Sequence, residues 1–153
     1  MIALVLSLIT YLDQRNSEED QDLKEASRIS WNFYQKDDKS PLYLHIDNRS
    51  LSTARNVTLT RDRGDWLDFF SLELAPACTR SSYELKGEAD SALKQDATNV
   101  YLTYQDGRNN WWINDLESGV SEIEKEASNW EIAQEPEVPF RLSEERTDLA
   151  ACG

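Results

Sequence analysis

The feature that most restricts the fold of this chain is a series of short segments in which apolar and polar residues alternate. In LYLHIDN (42–48) every second residue is aliphatic, and RNVTLTR (55–61) and NVYLTYQ (99–105) repeat the pattern. Successive side chains of a strand point to opposite faces, so this alternation predicts strands with one buried face. Four further segments complete a set of seven predicted strands: residues 29–34, 66–74, 80–87 and 110–115.

The stretches between these segments have the composition of turns. QKDDKSP, RDRGD and DGRN are rich in residues that favour tight backbone conformations. Seven short strands separated by turns predict a mainly β fold, an antiparallel β-sandwich, with a closed barrel as the alternative. An α/β fold is not expected, because no long helical pattern alternates with the strands.

The last two predicted strands form a hairpin, and their tryptophans raise the question of a binding site. NVYLTY and WWI flank the loop QDGRNN, in which Asp106 and Gly107, and also Asn109 and Asn110, tolerate the positive φ values that such loops need. Because neighbouring side chains on a strand point in opposite directions, one of Trp111 and Trp112 should be core and the other exposed.

The alternation also predicts which aliphatic residues form the core. One set of positions on the predicted strands is aliphatic throughout, and we expect it to face the opposite sheet. These candidate core residues are Leu44, Ile46, Val57, Leu59 and Leu102.

The N-terminal region divides at Leu12. Residues 1–12 are uncharged and mostly aliphatic, but about 12 residues are fewer than the roughly 20 that a bilayer needs. We expect them to be a membrane-anchor segment, the end of a transmembrane helix that begins upstream of Met1. The alternative is a buried element of the domain. Residues 13–28 lack Gly and Pro and should form a polar helical stalk. Residues 29–120 then make up the sandwich, and 121–153 an acidic, mobile tail.

Charge and cysteine content exclude several classes of function. The net charge of −13 makes nucleic acid an unsuitable partner. Most of this negative charge lies in residues 115–153, which contain 11 acidic and 3 basic side chains. The two cysteines, Cys78 and Cys152, have no metal-binding spacing, and we expect both thiols to be free. No cofactor or metal site is predicted.

Several stretches resemble a family of uncharacterised actinobacterial membrane-anchored proteins. The resemblance is carried by EASRISW, LYLHIDNRSLSTARNVTLT, LELAPACTRSSYEL and LTYQDGRNNWWINDLESGV, and it covers about Ala26 to Val120. The chain departs from the family pattern at Asn109, where Gly is usual, and at Ile113, where a basic residue is common. The resemblance implies an N-terminal transmembrane segment, a helical stalk and an immunoglobulin-like sandwich of about seven strands. It also aligns the core tryptophan of the family with Trp112.

These observations favour a membrane-associated, non-catalytic interaction module with an unknown protein partner. The single histidine, His45, lies in mid-strand, and no nucleophile or carboxylate pattern suggests an enzyme. The alternative is a sandwich that binds a glycan or peptide on an aromatic platform of Trp111, Trp112 and Tyr104, with Trp111 and Tyr104 as the candidate binding residues. A single-pass membrane location is expected. Free cysteines, together with Arg15 and Lys24 after the apolar segment, favour a cytoplasmic domain.

Overall fold

A computed structural model describes residues 2–62, 67–95, 97–123, 140–150 and 152. Side chains are described for 11–62, 70–72, 74–87, 90–91, 93–95, 97–123, 147–150 and 152. This part of the chain forms two helices and nine strands. They are α1 (Ile2–Ala26), β1 (Ile29–Tyr34), β2 (Tyr43–Asn48), β3 (Ala54–Asp62), β4 (Leu67–Ala75), β5 (Thr79–Leu85), α2 (Gly87–Gln95), β6 (Val100–Gln105), β7 (Trp111–Asp115), β8 (Gly119–Ile123) and β9 (Phe140–Asp148).

The strands form two antiparallel sheets. Sheet A has the order β1-β2-β5-β9, and sheet B has the order β4-β3-β6-β7-β8. The prediction of a mainly β antiparallel sandwich preceded by an N-terminal helix is therefore confirmed. All seven predicted strands are present. The sequence did not predict the order in which they pair within the sheets, which the structure shows.

The core lies between the sheets, and the alternating residues line it. The five aliphatic residues predicted to form the core are each at most 1% exposed. They are Leu44, Ile46, Val57, Leu59 and Leu102.

Two hydrogen bonds fasten the sheets to each other at β1. The Trp31 indole Nε1 donates to the carbonyl of Asn114 over 3.1 Å, and the Asn114 side-chain amide donates to the carbonyl of Ile29 over 2.7 Å. Because both contacts are buried, they satisfy polar groups that would otherwise be costly to enclose.

Helix α1 runs without a break through the predicted anchor and the predicted stalk. Side chains 11–21 are exposed, whereas Ala26 at the helix end is buried in the core. Among the described residues, no helix combines the length and apolar character needed to cross a bilayer. This finding does not fit the predicted single-pass segment. The uncharged stretch ends at Leu12 after a rise of roughly 18 Å, and a bilayer core is about 30 Å thick.

The prediction that residues 121–153 form a tail outside the sandwich is wrong in two places. Strand β8 extends to Ile123, and β9 pairs with β5 from Phe140 to Asp148. The acidic composition misled the prediction, because a charged strand can still pair at the edge of a sheet. The predicted mobility of residues 124–139 lies outside the described residues.

The prediction of free thiols is also wrong. Cys78 and Cys152 form a disulfide, with their Cα atoms 5.5 Å apart. Strand β9 explains the pairing, because it carries the C-terminal cysteine back to the turn between β4 and β5. With the thiols paired, one of the two supports for a cytoplasmic domain is lost.

Helix α2 occupies a stretch that was predicted to be a turn. Leu93 on this helix is 3% exposed, and the Asp90 carboxylate accepts a hydrogen bond from the backbone N–H of Leu42 over 2.8 Å. The Lys94 ammonium bonds to Asp90 one helical turn earlier, also over 2.8 Å. The helix thereby covers one end of sheet A.

Candidate functional site

The loop between β6 and β7 is organised by the carboxylate of Asp106. Its Oδ1 accepts hydrogen bonds from the backbone N–H groups of Arg108 and Asn110, over 2.8 and 2.9 Å. Its Oδ2 accepts a bond from the Trp112 indole over 2.9 Å. Asp106 is 8% exposed, so these bonds replace its hydration and hold the loop in one conformation.

The positive φ in this loop lies at Asn109 and not at Asp106 or Gly107. Asn109 has a φ of 71°, which an asparagine tolerates better than most residues. Gly107 is needed for a different reason. A Cβ on Gly107 would lie 2.9 Å from the Cβ of Ser52, in the turn between β2 and β3. The hairpin loop and that turn therefore pack in direct contact.

The two tryptophans occupy opposite faces of β7. Trp112 is 2% exposed and lies in the core, opposite Tyr104 of β6. Trp111 is half-buried and lies on the outer face of sheet B. This is the arrangement that the hairpin pattern and the family resemblance predicted.

Tyr104, predicted to share a binding surface with Trp111, is instead a core residue. Its side chain is fully buried, and its hydroxyl donates a hydrogen bond to the carbonyl of Ala26 over 2.7 Å. Burial, with a smaller effect from the Asp106 carboxylate, raises the pKa of Tyr104 well above its usual value, so the hydroxyl stays protonated as a donor. The prediction failed because Tyr104 follows Leu102 by two residues and so shares its inward face.

Two aliphatic residues accompany Trp111, and Gln105 lies opposite it on β6. Across the β7–β8 ladder Trp111 lies opposite Ile123, and Ile113 lies on the same face of β7 two residues along. All three side chains are half-buried. The sequence did not reveal Ile123, since β8 was not predicted. We call Trp111, Ile113 and Ile123 the sheet B patch.

The hairpin loop is also tied to helix α1. The Asp22 carboxylate accepts hydrogen bonds from the Arg108 guanidinium and, over 3.3 Å, from the Asn110 side-chain amide. A salt bridge between Asp22 and Arg108 accompanies them. The loop between β6 and β7 is thus fixed by Asp106 within the loop and by Asp22 of α1.

The outer face of sheet A carries the second polar cluster. Tyr34 stacks on His45 with ring centroids 5.5 Å apart, and Arg80 binds the Asp47 carboxylate through two bonds of 2.6 Å. Burial and then the charge of Arg80 lower the pKa of His45, while the hydrogen bond from Arg80 lowers the pKa of Asp47. His45 is therefore neutral at pH 7.

The surroundings of His45 are set by both neighbouring strands. Its ring stacks on Tyr34, the charges of Arg80 and Asp47 act on it, and Ser82 lies opposite it across the β2–β5 ladder. Within the residues that the structure describes, no group of three His, Cys, Asp or Glu side chains could hold a metal ion.

In comparisons with known proteins, no family model, no curated protein and no solved structure matches this chain. The function must therefore be argued from its own surfaces.

Proposed function

We propose that this chain is a non-catalytic interaction module that presents the sheet B patch to a protein partner. The observation that carries the proposal is the placement of Trp111. Its neighbour Trp112 is buried in the core, whereas Trp111 is half-exposed beside Ile113 and Ile123. Large side chains on a rigid surface are the usual anchors of protein interfaces, where tryptophan is strongly enriched.

Rigidity of the hairpin supports this proposal. Asp106 and Asp22 hold the loop beside the patch, so Trp111 is presented by a strand whose backbone is already ordered. A partner that binds such a surface does not have to order it, and less of the binding free energy is lost to conformational entropy.

A glycan-stacking platform is supported less well. It required Tyr104, Trp111 and Trp112 together, and two of these three rings are in the core. Two neighbours of Trp111 are isoleucines, which offer apolar contact area and no hydrogen bonds for sugar hydroxyls. The third, Gln105 on β6, already uses its side-chain amide in bonds with the Asn109 carbonyl and the Asn56 side chain. An apolar protein surface is the better match to this chemistry.

We further propose an immunoglobulin-like arrangement of the sandwich. The central pairs β2–β5 and β3–β6 lie in different sheets, so the chain passes between the sheets repeatedly before β6, β7 and β8 form a meander in sheet B. This order supports the proposal, and β8 and β9 extend the sheets at their outer edges.

Membrane association through the first turns of α1 is part of the same proposal. Residues 2–12 are uncharged, and the exposed residues 13–21 follow them in one continuous helix. The disulfide supports a domain in an oxidising compartment, because such bonds rarely persist in the cytosol. Co-sedimentation with phosphatidylcholine vesicles should be lost when residues 1–12 are deleted. Equal sedimentation of both proteins would contradict this part.

Photo-crosslinking tests the interaction surface directly. A photoreactive phenylalanine analogue at Trp111 should form a covalent adduct with a discrete protein in the native host extract, identified by mass spectrometry. The same analogue at Tyr34, an exposed aromatic residue on sheet A, is the matched control and should not give that adduct. Identical adducts at both positions, or binding of an immobilised glycan that Trp111→Ala abolishes, would contradict the proposal.

A further inference from the structure

The turn that carries Cys78 is held by a buried polar network. Asn48 is fully buried, and its side-chain amide donates to the carbonyls of Ser52 and Ala75 over 2.9 and 2.8 Å. The hydroxyl of Ser50 donates a hydrogen bond to the side-chain oxygen Oδ1 of Asn48 over 2.6 Å. The backbone N–H of Cys78 donates to the carbonyl of Ser50 over 3.3 Å. The Cys78 end of the disulfide is thus fixed to the sandwich.

The other end of the disulfide lies four residues beyond the end of β9. Among the strands that the structure describes, β9 is the last in sheet A and pairs with β5 alone. Five of its nine residues, FRLSEERTD, are charged, and its pairing with β5 is interrupted between Ser81 and Tyr83. Just beyond the strand, the backbone N–H of Leu149 donates to the carbonyl of Cys78 over 2.9 Å.

We propose that the Cys78–Cys152 disulfide is a redox clasp that keeps β9 on the edge of β5. A dithiol reductant can reach it, because both cysteines are partly exposed. One thiolate of the dithiol attacks a sulfur of the bond, and its second thiolate resolves the mixed disulfide. Cys78 and Cys152 each leave as a thiol, and the dithiol becomes a disulfide.

Opening the clasp releases the strand and not the sandwich. Among the described side chains, the buried apolar cluster comes from residues 26–112, and we expect these residues to hold the sandwich together when β9 leaves. Strand β5 then becomes an edge strand whose backbone N–H and C=O groups on that side face solvent.

Hydrogen–deuterium exchange of the full chain, with and without a dithiol, tests the clasp. We expect amide exchange in β9 and along β5 to become at least tenfold faster on reduction, while exchange in β6 and β7 stays unchanged. Cys152→Ser should reproduce the fast exchange without reductant and show no further response to it. Oxidised protein treated with a thiol-alkylating reagent is the control and should take up no label.

Two results would overturn the proposal. If β9 keeps its protection after complete reduction, its backbone pairing holds it without the clasp. If β6 and β7 lose protection together with β9, the disulfide supports the whole fold and does not control one strand.

Discussion

Replacing Trp112 by alanine should remove a large part of the stability of the domain. The side chain is 2% exposed, and truncating a buried tryptophan costs about 3–5 kcal/mol. The change also deprives the Asp106 carboxylate of its bond from the indole, and a buried acceptor left without a partner costs about 1–3 kcal/mol. Since small domains unfold with about 5–15 kcal/mol, we expect Trp112→Ala to be largely unfolded or strongly destabilised.

Urea denaturation followed by circular dichroism measures this loss, and two further variants locate its origin. Trp111→Ala is the matched control on the adjacent position, and we expect it to cost about 1 kcal/mol or less because its side chain is half-exposed. Trp112→Phe keeps most of the apolar volume and removes the indole N–H, so its cost should fall between the two. The reasoning is refuted if Trp111→Ala destabilises the domain as much as Trp112→Ala does.

Three other changes probe the termini and the loop contacts. Deleting residues 1–12 should leave a folded, β-rich domain by circular dichroism, because the exposed stretch of α1 follows them; an aggregated product would contradict this. Replacing Cys152 with serine should lower the unfolding free energy of the sandwich, measured in urea, by much less than the roughly 4 kcal/mol of loop-closure entropy of a crosslink spanning 74 residues, because the released β9 gains entropy in the folded state too. Gly107→Ala should cost on the order of 1–3 kcal/mol through its clash with Ser52, and adding Ser52→Gly should recover part of that loss.

The strands could be predicted from the sequence because period-two alternation survives wherever one face of a strand is buried. Strands β2, β3 and β6 show this most clearly, and their aliphatic positions are the ones that the structure buries. The hairpin that carries Trp111 and Trp112 could be predicted from the sequence for the same reason. One inconsistency was visible in advance, since Tyr104 shares the face of Leu102 and could not also lie on the surface.

Elements that depend on distant partners could not be predicted. Strand β9 has no clear alternation, and β5 supplies the edge on which it forms. The disulfide depends in turn on β9, because Cys78 and Cys152 come together only after that strand has paired. Helix α2 carried a weak signal in the i, i+4 pair of Asp90 and Lys94, which a turn-rich composition outweighed.

Similar reasoning explains why the candidate site was only half predicted. Trp111 and Ile113 followed from the alternation along β7, whereas Ile123 enters through a strand that follows a short turn in an acidic stretch. The contacts of Asp22 with the hairpin loop are equally non-local, since they join residues 86 and 88 positions apart. A single sequence carries no signal for such pairs.

The Arg80–Asp47 ion pair on sheet A should make stability depend on acid pH. The hydrogen bond from Arg80 lowers the pKa of Asp47 in the folded state below the value of about 3.9 expected in the unfolded chain. The pair therefore stabilises the fold fully above about pH 4, and this stabilisation is lost as the pH falls through the lower, folded-state pKa. Arg80 is 42% exposed, so we expect a contribution of about 1 kcal/mol or less.

Denaturation of wild type and Arg80→Gln at several pH values tests this linkage. The difference in their unfolding free energies should be largest near pH 6 and shrink as the pH falls through the lowered, folded-state pKa of Asp47, because protonated Asp47 no longer attracts the guanidinium. Repeating the comparison in a background with both Asp47→Asn and His45→Asn supplies the control, because Arg80 also acts on the pKa of His45, and there the difference should not change with pH in this range. A pH-independent difference in the native background would mean that Arg80 stabilises sheet A through the packing of its side chain and not through its charge.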